Sequence, residues 1–123
     1  MSTPANIYVA IVDDDKSICR ALSRLLRVSG FQPISYPSAE AFLADDKHPK
    51  FDCMILDIHF DGISGIDLGR HLAKAGSTTP IIFISAHDDV EVQEQAFALG
   101  CAAYLHKPQP GPAVIEAIRK AIA

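Results

Sequence analysis

Five short apolar runs alternating with five segments of helical spacing predict an α/β fold: a doubly wound, five-stranded parallel sheet in the order 2-1-3-4-5. Two further observations support this. The fourth run, residues 80–84, is nearly uniform in hydrophobicity, as a strand covered on both faces is, and glycine, proline and aspartate punctuate the connections. Right-handed crossovers then place helices on both faces, and a central first strand is the natural arrangement for five units.

The elements follow in order. Residues 7–12 read as a buried strand. Residues 16–29 read as a helix, with Ile18, Leu22, Leu25 and Leu26 at helical spacing, Asp15 as its N-cap and Gly30 at its end. A weaker strand spans 32–36, Pro37-Ser38 opens a short helix carrying Phe42 and Leu43, and 45–50 is a polar connection. The third strand, Cys53-Met54-Ile55-Leu56, stops at Asp57. Asp61-Gly62 and Ser64-Gly65 then bracket a turn before a helix bearing Ile66, Leu68 and Leu72, which Gly76 closes. Residues 80–84 form the fourth strand, halting at Ser85. A helix over 90–99 closed by Gly100, a strand over 102–106 ending at Lys107-Pro108, and a helix over 112–122 complete the chain, with an unusual Gln109-Pro110-Gly111-Pro112 approach to the last helix.

The 123 residues match one ordinary domain over 1–123, long enough to bury a core without disulfides. Hydrophobic residues at 49% and charged residues at 21% fit a globular chain. A net charge of −4 offers no excess of cations for a nucleic-acid backbone, so direct nucleic-acid binding is not expected. The apolar stretches are strand-sized and no leader pattern opens the chain, which predicts a cytoplasmic protein without membrane contact. Cys19, Cys53 and Cys101 are odd in number and widely spaced, and read as small hydrophobes rather than disulfide or zinc ligands.

The chemistry gathers at strand ends. Asp13, Asp14 and Asp15 follow the first strand and Asp57 ends the third, and in the 2-1-3-4-5 order these ends meet at the switch point. Carboxylates about 4 Å apart repel by roughly 4 kcal/mol per pair at an effective dielectric near 20, so such a group needs a cation or a raised pKa. An all-oxygen set is hard and favours Mg²⁺ or Mn²⁺, which keep waters and accept phosphate oxygens. Ser85 and Lys107, ending the fourth and fifth strands, supply a hydroxyl and an ammonium able to hold phosphate oxygens while a carboxylate acts as nucleophile.

Four segments carry a resemblance: Val12-Asp13-Asp14-Asp15, Leu56-Asp57 followed by Gly62 and Ser64-Gly65, Phe83-Ile84-Ser85-Ala86, and Ala103-Tyr104-Leu105-His106-Lys107-Pro108. The chain resembles, over essentially its whole length, the response regulator receiver domain of bacterial two-component signalling, with its CheY-like (βα)5 fold. The resemblance implies a phosphorelay phosphoprotein in which Asp57 takes a phosphoryl group from a histidine kinase's phosphohistidine. It further implies that Asp14 binds Mg²⁺ directly with Asp13 assisting, and that His59 contributes its backbone carbonyl. Ser85 would be the switch hydroxyl, Lys107 the phosphoryl-binding cation and Tyr104 the switch aromatic. The implied partners are a sensor histidine kinase or phosphotransfer protein, an output protein or domain, and a second copy in a phosphorylation-dependent dimer. The segment 86–90 is also similar to receivers that precede a helix-turn-helix output domain.

Departures from the pattern matter too. Phe60-Asp61 stands where relatives carry an apolar residue and a proline, which removes a rigid φ and adds a charge. The segment after Lys107-Pro108 lacks a common phenylalanine. His59 and His87, each two residues beyond a key position, are candidates for tuning autodephosphorylation, against the plainer reading as exposed loop histidines. Arg20, Arg24 and Arg27 form a basic stripe on the first helix, either a solvated face or a docking surface for the phosphodonor protein. The expected role is a signalling switch rather than a turnover enzyme. The alternative is a Mg²⁺-dependent aspartyl-phosphate phosphatase built on Asp57-Ile58-His59. A flavodoxin-like cofactor binder is disfavoured, because no Gly-rich or Ser/Thr-rich phosphate loop follows the first strand.

Overall fold

The computed structural model describes residues 6–58, 62–86, 89–107 and 111–123. The chain alternates strand and helix throughout: β1 (Tyr8–Val12), α1 (Lys16–Val28), β2 (Gln32–Tyr36), α2 (Ala39–Ala44), β3 (Cys53–Asp57), α3 (Gly65–Lys74), β4 (Ile81–Ser85), α4 (Val90–Ala98), β5 (Ala103–His106) and α5 (Gly111–Ile122). All pairings are parallel and the order is β2-β1-β3-β4-β5, as expected from the sequence.

The period-2 alternation of strand side chains divides the core into two layers. Ala10, Val12, Met54, Leu56 and Phe83 point to the face covered by Ala39 and Phe42 of α2, Ile66 and Leu68 of α3, and Ala96 of α4. Val9, Ile11, Cys53, Ile55, Ile82 and Ile84 point to the other face, under Leu26 of α1 and Val114, Ile115 and Ile118 of α5. Every residue of β3 is buried, which explains why this central strand shows no polar alternation in sequence. Tyr36, Phe42, Phe51 and His48 form an aromatic cluster at one end of the first layer, with His48 stacked on both phenylalanines.

Local chemistry sets the element ends. The Asp15 carboxylate accepts from the Ser17 and Ile18 amides at 2.8 and 3.2 Å, satisfying two orphan donors of α1. Ser64 and Asp67 form a reciprocal capping box at the start of α3. Gly30, Gly76 and Gly100, each at positive φ, end α1, α3 and α4 in the left-handed conformation that other residues avoid. The ends differ slightly from the expectation. Pro80 has no amide to donate, so β4 begins at Ile81, although the Pro80 carbonyl still accepts from Met54 at 2.9 Å. Among the described residues, no helix is long and apolar enough to cross a membrane.

Candidate functional site

The strand order brings Asp13, just past β1, beside Asp57, the last residue of β3, because β1 and β3 are direct neighbours with Val12 opposite Leu56. Ser85 ends β4 one step beyond Ile84, the register partner of Asp57. Lys107 follows β5, and its amide donates to the Ser85 carbonyl at 2.8 Å. The ends of strands one, three, four and five thus converge on one crevice, the place where ligands bind in open α/β sheets.

Asp13, Asp14 and Asp57 each offer a carboxylate oxygen, all lying within 4.8 Å of one another, the one such cluster among the described residues. Asp13 and Asp57 are buried and Asp14 is exposed. Asp13 is held from both sides: Oδ1 accepts from the Asp15 amide at 2.9 Å, and the partner of Oδ2 among the described residues is the Lys107 ammonium at 2.8 Å. The same ammonium lies 3.3 Å from Asp57 Oδ1. Burial by itself pushes the Lys107 pKa down, but the hydrogen bond and charge of Asp13, joined by Asp57, outweigh it and leave the pKa above the ordinary lysine value. One cation cannot neutralise three carboxylates, so the crevice keeps a negative field. Its donors are all oxygen and one is open to solvent, which fits Mg²⁺ or Mn²⁺ and not a thiolate-seeking metal.

Two neighbours brace the site. Cys19 Sγ of α1 donates to the Asp13 carbonyl at 3.3 Å; burial and then the charge of Asp13 raise its pKa, so it stays a neutral thiol. Gly65 packs directly on the Asp57 backbone. A Cβ there would sit 2.1 Å from the Asp57 carbonyl oxygen, and the Gly65 amide donates to the Ile58 carbonyl at 3.2 Å.

Of the residues singled out from sequence, Asp13, Asp14, Asp57 and Lys107 meet at the site, and Ser85 sits at its rim, fully buried. Asp15 caps α1 and stands outside the carboxylate cluster, as expected. Tyr104 is half-buried between Phe97 and His106, and its hydroxyl is buried with no hydrogen-bond partner among the described residues. Arg20, Arg24 and Arg27 are exposed and line an open groove of about 580 Å³ that runs from Asp13 along α1 and β2. His59 and His87, together with Phe60, Asp61 and the 108–110 approach to α5, lie outside the described residues. Cys53 is buried, its thiol pushed up to about 12 by burial, while Cys19 and Cys101 are half-buried; all three are free. Sequence reasoning missed Glu40. Its carboxylate accepts from the Ile63 amide at 3.2 Å across 23 residues of chain, a contact with no local sequence signal.

The fold and the crevice define a class: a switch-point α/β protein whose buried carboxylates and adjoining lysine suit a hard cation and phosphate oxygens. The response regulator receiver domain matches residues 9–119, and the chain belongs to this family of two-component signalling domains. It is 39% identical over 114 residues to the response regulator protein TmoT of Ectopseudomonas mendocina, an alignment covering 93% of this chain and 52% of TmoT. It is 33% identical over 119 residues to the transcriptional regulatory protein FixJ of Azorhizobium caulinodans, covering 97% of this chain and 56% of that protein. Among solved structures, the crystal structure of FixJ-N superposes with a TM-score of 0.87 at 31% identity, covering 97% of this chain and 95% of that one. The response regulator StyR also gives 0.87, at 34% identity, covering 96% of this chain and 60% of its own. The chain spans about half the length of the curated relatives it matches.

Proposed function

We propose that residues 1–123 form a receiver that accepts a phosphoryl group on Asp57 within a two-component phosphorelay, acting as a switch rather than a turnover enzyme. In the step, an Asp57 carboxylate oxygen attacks phosphorus, the phosphorus–nitrogen bond of a donor phosphohistidine breaks, and the electron pair leaves with the imidazole. Hydrolysis of the resulting acyl phosphate returns the carboxylate and releases inorganic phosphate. Asp13, Asp14 and Asp57, with the backbone carbonyl of His59, would hold Mg²⁺ or Mn²⁺. When bound, that ion supplies charge neutralisation for carboxylates and phosphoryl oxygens.

The chain's own groups do the rest. Lys107, 3.3 Å from Asp57, is placed to move from carboxylate to phosphoryl oxygen as charge develops there. Ser85 is the hydroxyl donor at the rim, and Tyr104, whose buried hydroxyl has no hydrogen-bond partner among the described residues, is the aromatic that responds. Charge-assisted hydrogen bonds contribute roughly 1.5 to 3 kcal/mol each, so two or three from Ser85 and Lys107 reach the roughly 5.5 kcal/mol that moves a two-state equilibrium from 1:99 to 99:1. A sensor kinase or phosphotransfer protein would approach past exposed Asp14, beside the Arg20, Arg24 and Arg27 stripe, in the cytoplasm. An output domain or protein, or a second copy, would read the switched state, and His59 and His87 would tune dephosphorylation.

The observation that carries this reading is the single ammonium shared by two buried carboxylates at 2.8 and 3.3 Å. Incubation with acetyl phosphate and Mg²⁺ tests it. The wild-type chain gains an acid-stable, hydroxylamine-labile phosphoryl group and Asp57→Asn does not; equal labelling of that variant refutes the assignment.

A further inference from the structure

The connection from Ile58 to Ile63 contains no proline, so no residue in it has a covalently locked φ. Its near end is pinned at β3, where Ile58 extends the ladder to Ile84 and where Gly65 returns against the Asp57 carbonyl. Its far end meets a different element. Glu40, in the first turn of α2, reaches across to the point where the described chain resumes. Its Oε2 accepts from the Ile63 amide at 3.2 Å and presses against Gly62, where a Cβ would lie 2.3 Å from the same oxygen. Gly62 is at φ +84, a left-handed backbone that favours glycine, and the missing Cβ leaves the room into which the Glu40 carboxylate reaches. The Glu40 bond is the one hydrogen bond between an α2 side chain and this end of the loop among the described residues.

We infer that Glu40 is a positioning residue for the phosphoacceptor loop, tying its far end to α2 so that the backbone following Asp57 is held at both ends. This rests on the phosphoacceptor reading given above. Glu40 touches neither Asp57 nor a phosphoryl oxygen. It acts through the Ile63 amide and the Gly62 backbone, and so sets where the loop's own carbonyls lie relative to the carboxylate cluster. The carboxylate is partly open to water, which makes the tie an adjustable constraint rather than a structural necessity.

The test compares the full chain with Glu40→Ala and Glu40→Gln. Ala removes the acceptor, whereas Gln retains an oxygen at the same reach without the charge. Amide exchange at Ile63, followed by NMR without metal, reads the tie directly. The Mg²⁺ concentration for half-maximal labelling by acetyl phosphate reads its consequence, and a thermal melt controls for loss of α2. Glu40→Ala is expected to raise both the exchange rate and the Mg²⁺ requirement by about three- to tenfold, with Gln staying within about twofold of wild type. Unchanged Ile63 exchange in Glu40→Ala overturns the tie. Altered exchange with an unchanged Mg²⁺ requirement overturns the positioning role, and so does an equal shift in both variants, which would make charge and not contact the cause. A wild-type chain that takes no label on Asp57 fails the phosphoacceptor reading separately, since the exchange measurement does not depend on it.

Discussion

Replacing Gly65 by alanine tests how tightly α3 is seated on the end of β3. The added Cβ would lie 2.1 Å from the Asp57 carbonyl oxygen, 3.0 Å from its carbonyl carbon and 3.1 Å from the Ile58 Cα, all backbone atoms of a buried strand end. An ordinary carbon–oxygen contact needs about 3.4 Å or more, so α3 must retreat or the Asp57 peptide must tilt by about 1 Å. Overpacking of this kind costs about 1–3 kcal/mol, and alanine's helix propensity returns at most about 1 kcal/mol of it. Gly65 is not at positive φ, so backbone conformation adds nothing to the cost. Because the obstacles are backbone atoms the cost lies in the upper part of that range, a net of about 1–2 kcal/mol after the return; for a chain of 123 residues the unfolding entropy makes 1 kcal/mol worth about 4 °C, so Tm should fall by about 4–8 °C. Two other glycines supply the controls. At Gly69 the Cβ meets the ring edge of Phe83 at 3.1 Å and a Leu99 methyl at 3.2 Å, side-chain atoms that can yield, so alanine there should lie within about 1 kcal/mol of wild type. At Gly30, φ +93 in open space, alanine costs about 1 kcal/mol of strain and leaves the site alone. Thermal melts and acetyl phosphate labelling should therefore separate the three, with labelling impaired only in Gly65→Ala. If Gly65→Ala melts and labels like wild type, the close approach is not a constraint and the reasoning fails.

Two further predictions concern charge. Lys107→Met removes the ammonium shared by two buried carboxylates, and because the lysine side chain is 17% exposed the loss should be about 1–3 kcal/mol, below the range for fully buried pairs. Chemical denaturation without metal measures it, Mg²⁺ should recover part of it, and unaltered stability would contradict the ion pairs at 2.8 and 3.3 Å. The second concerns the aromatic cluster, where the Tyr36 hydroxyl donates to Asp45 Oδ2 at 2.6 Å. That bond holds the Asp45 carboxyl below the usual aspartate range, while burial, then the bond to Asp45, raises Tyr36. A depressed carboxylate pKa contributes stability that is present above the unfolded value, about 3.9, and is lost as pH falls through the folded one. Tyr36→Phe should hence be less stable than wild type at neutral pH, with the gap narrowing below about pH 4; a gap independent of pH across pH 2–7 would show that the hydroxyl contributes nothing through Asp45.

The fold was readable because its signals are local and repeated. Uniformly apolar β3 and β4, the Asp15, Ser38 and Ser64 caps, and the glycines after α1, α3 and α4 each mark one element, and their alternation leaves few sheet orders open. The carboxylates were readable because a charged residue at the end of a buried strand has little reason to be there unless the crevice uses it. What remained hidden was contact across the chain. Nothing near Glu40 says that it reaches Ile63, nothing near Cys19 says that it bonds the Asp13 carbonyl, and the Gly65 approach to Asp57 depends on how far α3 is pressed toward β3. The sequence also could not rank the two bonds of Lys107. Because Asp13 is braced by the Asp15 amide on its other oxygen, it presents a fixed acceptor, and the ammonium sits closer to Asp13 than to Asp57.

That ranking bears on how the site would work. An ammonium bonded tightly to Asp57 would have to be stripped from it before the carboxylate could attack, and the broken pair would raise the barrier. Here the shorter bond is to Asp13, so on the proposed phosphoacceptor reading Lys107 would remain anchored there while its looser contact exchanged the Asp57 oxygen for a phosphoryl oxygen. The anchor also fixes the lysine's position without the metal, since one of the carboxylates that hold it ends β3, the other directly follows β1, and its own backbone is tied to Ser85. Exposed Asp14 is the one carboxylate free to adjust to an incoming ion or phosphoryl group. Rigid buried acceptors on one side and a solvent-facing carboxylate on the other give the crevice a direction of approach, and the basic stripe of α1 shares an open groove with Asp13.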